Sequence, residues 1–215
     1  MKTIITGTSR GIGRAAALKF LKEGHEVIGF DIQESSIIDE KYKHIRQSIT
    51  SKNLPELEGI EILVNNAGVQ NSEDDIEVNL KGTINITEKY GIQPNIKAIV
   101  MIASASARSG SEFPVYAASK GGVVTYMKNV AQRIAAYKAV CNSISAGGVI
   151  TELNNHILQS DELWNKVLDE TLLHKWSSKE EIADWIYFLA AVNKSMTAQD
   201  ILIDNGEAAK FNFIW

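Results

Sequence analysis

The run Thr3-Ile4-Ile5-Thr6-Gly7-Thr8-Ser9-Arg10-Gly11-Ile12-Gly13 opens the chain and decides how the rest is read. Thr3–Thr6 is short and apolar enough to predict a strand, and the residues from Gly11 predict a helix. Between them Gly7 lets the chain turn sharply, and Gly11 lets the backbone approach a pyrophosphate. Gly13 permits close packing of helix on strand. A helix start offers unbonded N–H groups and a positive dipole end to phosphates. A glycine cluster alone is also compatible with an ordinary strand-to-helix turn. Flanked by strand and helix, it predicts a dinucleotide site that includes Ser9, Arg10 and Ile12.

The next apolar run, Glu26–Phe30, ends at Asp31, about 20 residues past the glycines, where an acid accepts hydrogen bonds from the adenosine ribose. A carboxylate there repels a 2′-phosphate, so NAD(H) is favoured. Arg10 in the turn leaves NADP(H) open.

Further along, β-like runs alternate with amphipathic segments. The expected strands are Thr3–Thr6, Glu26–Phe30, His44–Gln47, Glu61–Asn65, Lys97–Ala103, Ala139–Ser145 and Asp200–Ile203. The expected helices are Gly11–Glu23, Asp74–Tyr90, Tyr116–Tyr137, Asp161–Leu173 and Ser178–Ala191, with Asp31–Lys43 a loop or single turn. Ser178 with Glu181 reads as a capping box, and Gly24 closes the first helix. Such alternation predicts an α/β fold. It would be a Rossmann-type, doubly wound parallel sheet of about seven strands with helices on both faces, in three α/β/α layers.

Composition bounds the function. The 215 residues are 45% hydrophobic and fit one domain, 1–215. A net charge of −4 and no clustered basic run argue against nucleic acid. One cysteine, Cys141, excludes an internal disulfide and a multi-cysteine metal site, and no metal is expected. No apolar run reaches membrane-spanning length, and Met1-Lys2 leads straight into a strand, which predicts a cytoplasmic chain without a signal peptide.

A second constellation lies downstream. Tyr116 and Lys120 are spaced to share a helix face, so that the ammonium favours the phenolate and makes tyrosine usable as an acid/base. Ser104 ends the Lys97–Ala103 run, at the carboxyl edge of the sheet where ligands bind. Asn79 falls inside an expected helix, where asparagine is mildly unfavourable.

These residues resemble the short-chain dehydrogenase/reductase family. The matching motifs are Thr6-Gly7-x-x-x-Gly11-Ile12-Gly13, Asn65-Asn66-Ala67-Gly68, Asn79, Ser104 and Tyr116-x-x-x-Lys120. Asn142-x-x-x-x-Gly147-Gly148-Val149-x-Thr151 and Thr197-x-Gln199 follow in the family's order. The resemblance implies that Tyr116 is the general acid/base and that Lys120 lowers its pKa and holds the nicotinamide ribose. It implies that Ser104 orients the carbonyl or alcohol, and that Asn79 holds a water in a proton relay. Asn66, Ala67 and Gly68 would line the cofactor, and Ile150 and Thr151 would contact its carboxamide and phosphate end.

The chain departs from the family pattern in places. Asp31–His44 and Gly68–Asn79 are compressed, Ser48-Ile49 replaces an Asp-Val pair near the adenine, and Ala146-Gly147 replaces Pro-Gly. Ser104 and Tyr116 stand one residue closer than expected, which keeps Ser106 as a supporting candidate. Residues 152–175 are the expected substrate lid. Their apolar set is compatible with packing or substrate contact, and His156 and His174 are candidate polar contacts.

The expected activity is hydride transfer between NAD(H) and an alcohol/ketone pair, with a small carbonyl or alcohol substrate. The alternatives are a dinucleotide-binding regulatory or scaffold protein and an NADPH-dependent 3-oxoacyl-thioester reductase. A homodimer or homotetramer is expected, through helices Asp74–Tyr90 and Tyr116–Tyr137. Ile84, Val124, Met127, Val130 and Ile134 would supply apolar stripes, and Phe211–Trp215 a second surface.

Overall fold

The structure, a computed structural model, describes residues 1–111 and 113–210. The Phe211–Trp215 segment lies outside the described residues, as do the side chains of Leu153 and His156.

The chain runs β1 (Lys2–Thr6), α1 (Gly11–Lys22), β2 (Glu26–Asp31), β3 (Tyr42–Arg46) and β4 (Ile62–Asn65). A π-helical stretch, Asp75–Gly82, runs into α2 (Thr83–Tyr90). Then come β5 (Ala98–Ile102), α3 (Ser106–Ser109), α4 (Pro114–Ile134) and β6 (Val140–Ala146). The last part holds β7 (Val149–Ile150), α5 (Asn155–Leu158), α6 (Asp161–Asp169), β8 (Ser177–Ser178), α7 (Lys179–Tyr187) and β9 (Asp200–Ile203). The main sheet has the order β3-β2-β1-β4-β5-β6-β9, and every pairing is parallel. All seven expected strands are present, as is the doubly wound three-layer fold.

Strand residues alternate between two cores, as the pleat requires. Ile62 and Val64 of β4, with Val100 and Ile102 of β5, face Phe20 of α1 and Ile182 and Ile186 of α7. Leu63, Ile99 and Met101 face the other way, onto Ile86 of α2 and Val123, Met127, Val130 and Ile134 of α4. Both faces are covered, which is why the strands read as continuous apolar runs rather than alternating ones.

Several helix details differ from the sequence expectation. Asp74–Tyr90 starts as a π-helical stretch rather than an α-helix, and α7 passes into another at Phe188–Val192. α6 stops at Asp169 instead of reaching Leu173. Thr171 turns the chain there: its hydroxyl donates to the Leu168 carbonyl and accepts from the Lys175 N–H at 3.0 Å. The short β7–β8 ladder and α3 carry no periodic pattern and were not expected. As expected, Gly24 takes a φ of 84° at the end of α1, and the loop 32–41 forms no helix.

Candidate active site

The glycine turn sits at the carboxyl end of β1. Gly7 and Gly11 take φ values of 76° and 57°, in the left-handed region open to glycine. A Cβ on Gly13 would lie 2.1 Å from the Gly7 carbonyl oxygen, so α1 can rest on the turn only without a side chain there. Asn66 locks the turn from β4's side. Its Nδ2 donates to Thr6 O at 3.0 Å, while the backbone N–H groups of Asn66 and Ala67 both donate to Thr6 Oγ1 at 3.0 Å. Arg10 is exposed at the head of α1, which begins without a side-chain cap and with no acid in its first turn. The N–H groups of that turn and the close-packed glycines therefore form a cradle suited to a pyrophosphate. Ile12 is packed against the α1/α7 core.

Asp31, ending β2, turns back to the same loop. One carboxylate oxygen accepts from Ser9 N and the other from Gln33 N, each at 2.9 Å. The acid thus fixes the turn as well as carrying charge to it, and each oxygen retains a further lone pair. Behind the turn, Thr8 Oγ1 bonds Tyr42 OH at 2.9 Å, and Tyr42 OH bonds His44 Nδ1 at 3.1 Å. Sequence reading missed this support, because a tyrosine in an edge strand has no local signature. Gly29 is its only clue, since a Cβ there would meet Tyr42 OH at 2.3 Å.

The segment after β6 closes the cradle from the opposite side. Thr151 Cγ2 would lie 3.8 Å from a Cβ built on Gly11, and Glu152 Oε2 3.9 Å. Ile150 stands exposed on β7. Glu152 also pairs with Lys179 at 3.4 Å. Its own backbone N–H holds its carboxyl below the usual range, with help from Lys179 and the Gly11 N–H.

At the other end of the cradle lie the acid/base candidates. Lys120, on α4, is 5% exposed, and its Nζ donates to Ile102 O at the end of β5 at 2.9 Å. The ammonium lies 5.8 Å from the centroid of the half-buried Tyr116 ring. Burial pushes the Lys120 pKa down to about 8, against an opposing pull from Asp75. Ser104 follows β5 and is buried. Its hydroxyl donates to Ser106 Oγ at 3.1 Å and accepts from Ser106 N at 3.2 Å. Ser106 is thus in contact with the site, as its spacing suggested.

Asn79 is buried, and its amide is fully engaged. Oδ1 accepts from Val69 N at 2.8 Å, while Nδ2 donates to Val69 O at 2.9 Å and to Ser119 Oγ at 3.0 Å. These bonds tie the π-helical stretch to α4 and to the segment after β4, and wide turns of this kind recur at functional sites. Gly68 lies between the two elements. A Cβ there would meet Asn79 Oδ1 at 2.9 Å and Lys120 Nζ at 3.4 Å. The fold therefore brings Gly68, Asn79, Ser104, Tyr116 and Lys120 to one edge of the sheet beside the glycine turn.

The lid carries less. His174 is exposed and faces Asp169 at 3.5 Å. Trp164 and Trp176 meet edge to face at 5.5 Å, and Trp176 presses on Gly148, where a Cβ would come within 2.2 Å. α6 buries none of its residues fully, so its apolar side chains are not core. Asp75 is a further residue that sequence reading passed over. It is a carboxylate with 1% exposure in the π-helical stretch, and nothing in Asp-Ile-Glu-Val-Asn marks one acid as buried.

A family model described as enoyl-(acyl carrier protein) reductase matches residues 53–207. The chain is 31% identical to a 3-oxoacyl-[acyl-carrier-protein] reductase of Buchnera aphidicola, over 94% of each chain. The solved structure of 4-hydroxyisoleucine dehydrogenase with NADH superposes with a TM-score of 0.87 at 24% identity, covering 98% of this chain and 99% of the other. A short chain dehydrogenase family protein of Francisella tularensis gives 0.81 at 27%, covering 97% and 99%. The matched span exceeds half of the chain, and the strand order and glycine turn agree with it. The protein therefore belongs to the short-chain dehydrogenase/reductase family and is an NAD(P)-dependent oxidoreductase acting on alcohol and carbonyl groups.

Proposed function

We propose that the protein uses NAD(H) in preference to NADP(H), with Tyr116 as its general acid/base. The cradle formed by Gly7, Gly11, Gly13 and the open first turn of α1 fits a dinucleotide pyrophosphate. Ser9, Arg10, Ile12, Asn66, Ala67, Gly68, Ile150 and Thr151 complete its walls. Bound NAD(H) supplies the hydride chemistry.

The chain's own residues handle the proton and the substrate. Tyr116 donates its phenolic proton to a carbonyl oxygen in reduction and takes it back from the alcohol in oxidation. Lys120 favours the phenolate by its charge. Ser104 turns its hydroxyl proton from Ser106 Oγ to the same substrate oxygen, while Ser106 N–H continues to donate to Ser104 Oγ. Asn79 holds the helix junction beside Lys120 from which a water-borne proton is supplied.

The observation that carries this reading is the Lys120 ammonium, buried on the Ile102 carbonyl and facing the Tyr116 ring. The coenzyme preference rests on Asp31, whose carboxylate meets the turn where a 2′-phosphate would lie. Titration calorimetry should give tighter binding of NADH than of NADPH, with the gap narrowed in Asp31→Ala. A native preference for NADPH would overturn the assignment. The relative's name supports a second reading, reduction of 3-oxoacyl thioesters, and the exposed Arg10 is compatible with NADPH as its coenzyme. Following nicotinamide absorbance against alcohols, ketones and a 3-oxoacyl thioester separates the two. Absence of turnover throughout that panel would favour a binding or scaffold role.

A further inference from the structure

Three side chains of the edge strand β3 share one face. Tyr42, His44 and Arg46 alternate with Lys43 and Ile45, and the period of a strand points them the same way. Register sets that face beside the segment after β2, because His44 pairs with Gly29 and Arg46 with Asp31. Gly29 leaves room for it: a Cβ there would meet Tyr42 OH at 2.3 Å and Thr8 Oγ1 at 2.4 Å.

Asp31 needs an outside hold. The chain after it, 32–41, forms no helix, Ile32 is 64% exposed, and the first core side chain beyond is Ile37. Packing therefore does not aim the carboxylate, and hydrogen bonds do. Asp31 accepts from Ser9 N and from Gln33 N at 2.9 Å each. Gln33 O in turn accepts from Ser9 Oγ at 3.1 Å and from His44 Nε2 at 2.9 Å, which engages both of its lone pairs. A carbonyl only accepts, so Nε2 of His44 carries a hydrogen. On its other nitrogen His44 bonds Tyr42 OH at 3.1 Å, and Tyr42 OH bonds Thr8 Oγ1 at 2.9 Å. These bonds form a circuit that leaves the glycine turn at Thr8 and returns to it at Ser9. Arg46 adds a bond from Nε to Ile32 O at 3.1 Å, but its guanidinium is exposed and shared with Glu34, so this hold is the weaker one.

We propose that His44 is a positioning residue for coenzyme selection: it holds the Gln33 backbone, and through it the Asp31 carboxylate, at the adenosine ribose. This rests on the role given above to Asp31. With His44 in place, the Gln33 N–H pins one carboxylate oxygen and the Ser9 N–H the other, and the remaining lone pairs meet the ribose hydroxyls of NAD(H) in a fixed direction. The same fixed charge meets the 2′-phosphate of NADP(H). Without the His44 bond the Gln33 backbone loosens, and Asp31 with it. NADH then loses hydrogen bonds, whereas NADPH loses a repulsion.

Two substitutions separate the two sides of His44. The amide of His44→Gln reaches the Nε2 position and donates to Gln33 O. The shorter amide of His44→Asn stays at the Nδ1 position, where it meets Tyr42 OH but falls short of Gln33 O. Titration calorimetry with NADH and with NADPH reads the ratio of their dissociation constants. In His44→Asn that ratio should shift toward NADPH by about fivefold, the usual worth of one neutral hydrogen bond. His44→Gln should keep the native ratio. In an Asp31→Ala background His44→Asn should shift nothing, because the group it acts through is gone. Both variants keep a polar side chain at a half-buried position and should melt close to the native chain. A merely structural role would weaken both coenzymes alike and leave the ratio unchanged. A ratio unmoved in His44→Asn, moved as far in His44→Gln, or moved as far without Asp31 overturns the proposal. A native preference for NADPH that shifts further toward NADPH in His44→Asn overturns the NAD(H) assignment and upholds the hold on Asp31.

Discussion

Tyr116 and Gly13 show what single residues are asked to do. Since Tyr116 is assigned the proton, Tyr116→Phe should lower turnover by about 10²–10⁴-fold, the usual worth of general acid/base catalysis. NADH affinity by calorimetry should stay close to native, and retention of more than about a tenth of the activity would assign the proton elsewhere. Gly13→Ala should fail differently, because its Cβ would meet the Gly7 carbonyl oxygen at 2.1 Å. Overpacking of this kind typically costs about 1–3 kcal/mol, read by urea unfolding, and should weaken coenzyme binding with it. Glu152 carries the opposite expectation. Its carboxylate approaches Gly11 at the head of α1, where it repels an incoming phosphate. Glu152→Gln should therefore tighten NADH binding several-fold, and an unchanged or weaker affinity would show that Lys179 already draws the charge away. The glycines, Asp31, Tyr116 and Lys120 were legible in the sequence because each sits at a fixed offset from an element boundary. The support that Tyr42 gives Thr8 was not, because it depends on a partner distant in the chain.

Elements show the same division. The capping box of α7 was readable from Ser178-Lys179-Glu180-Glu181, since both of its bonds are local: Glu181 N donates to Ser178 Oγ at 3.1 Å and Ser178 N to Glu181 Oε2 at 2.8 Å. Ser178→Ala should cost about 1 kcal/mol by denaturant unfolding. The π-helical stretch was not readable, because its wide turn is set by Asn79 reaching Val69 and Ser119. The packing of α1 on α7 has a pH-sensitive point. His25 is buried against Phe20 at 5.1 Å and Tyr187 at 5.8 Å, with Thr3 Oγ1 at 3.2 Å from Nδ1. Burial holds its pKa below the ordinary imidazole value of about 6.5, with the N-terminal charge adding to the effect. A lowered folded pKa means that the unfolded chain takes up the proton first. Stability from this group is full above about pH 6.5 and is lost as pH falls toward the folded value. Melting temperature should drop between about pH 7 and 5, and His25→Gln should flatten that slope.

At the scale of the molecule, the alternation of apolar runs and helices gives the parallel sheet, and its carboxyl edge carries the glycine turn, Asp31, Ser104 and the Lys120 contact with Ile102. Assembly was less legible, because a periodic pattern does not say which apolar face meets the sheet. Met127, Val130 and Ile134 of α4 are spent on the sheet-facing core, while Ile84 and Val124 remain half-buried. The outward stripe on these helices is therefore thinner than the sequence suggested. A second apolar surface lies elsewhere. Leu172, Leu173 and Trp185 line a groove with Leu202 and Ile203 of β9, and Trp185 is 43% exposed. β9 ends the sheet, and among the described residues no strand pairs with its outer edge beside that groove. Contiguous apolar surface next to an open edge is costly in a monomer, and two-fold pairing is the commonest way soluble chains cover it. We predict a homodimer or homotetramer by light scattering at micromolar concentration. Trp185→Asp should lower the measured mass by placing a charge on the covered face, while leaving the melting transition cooperative. A native mass near 23.7 kDa would mean that the chain stands alone and that the groove is covered in some other way.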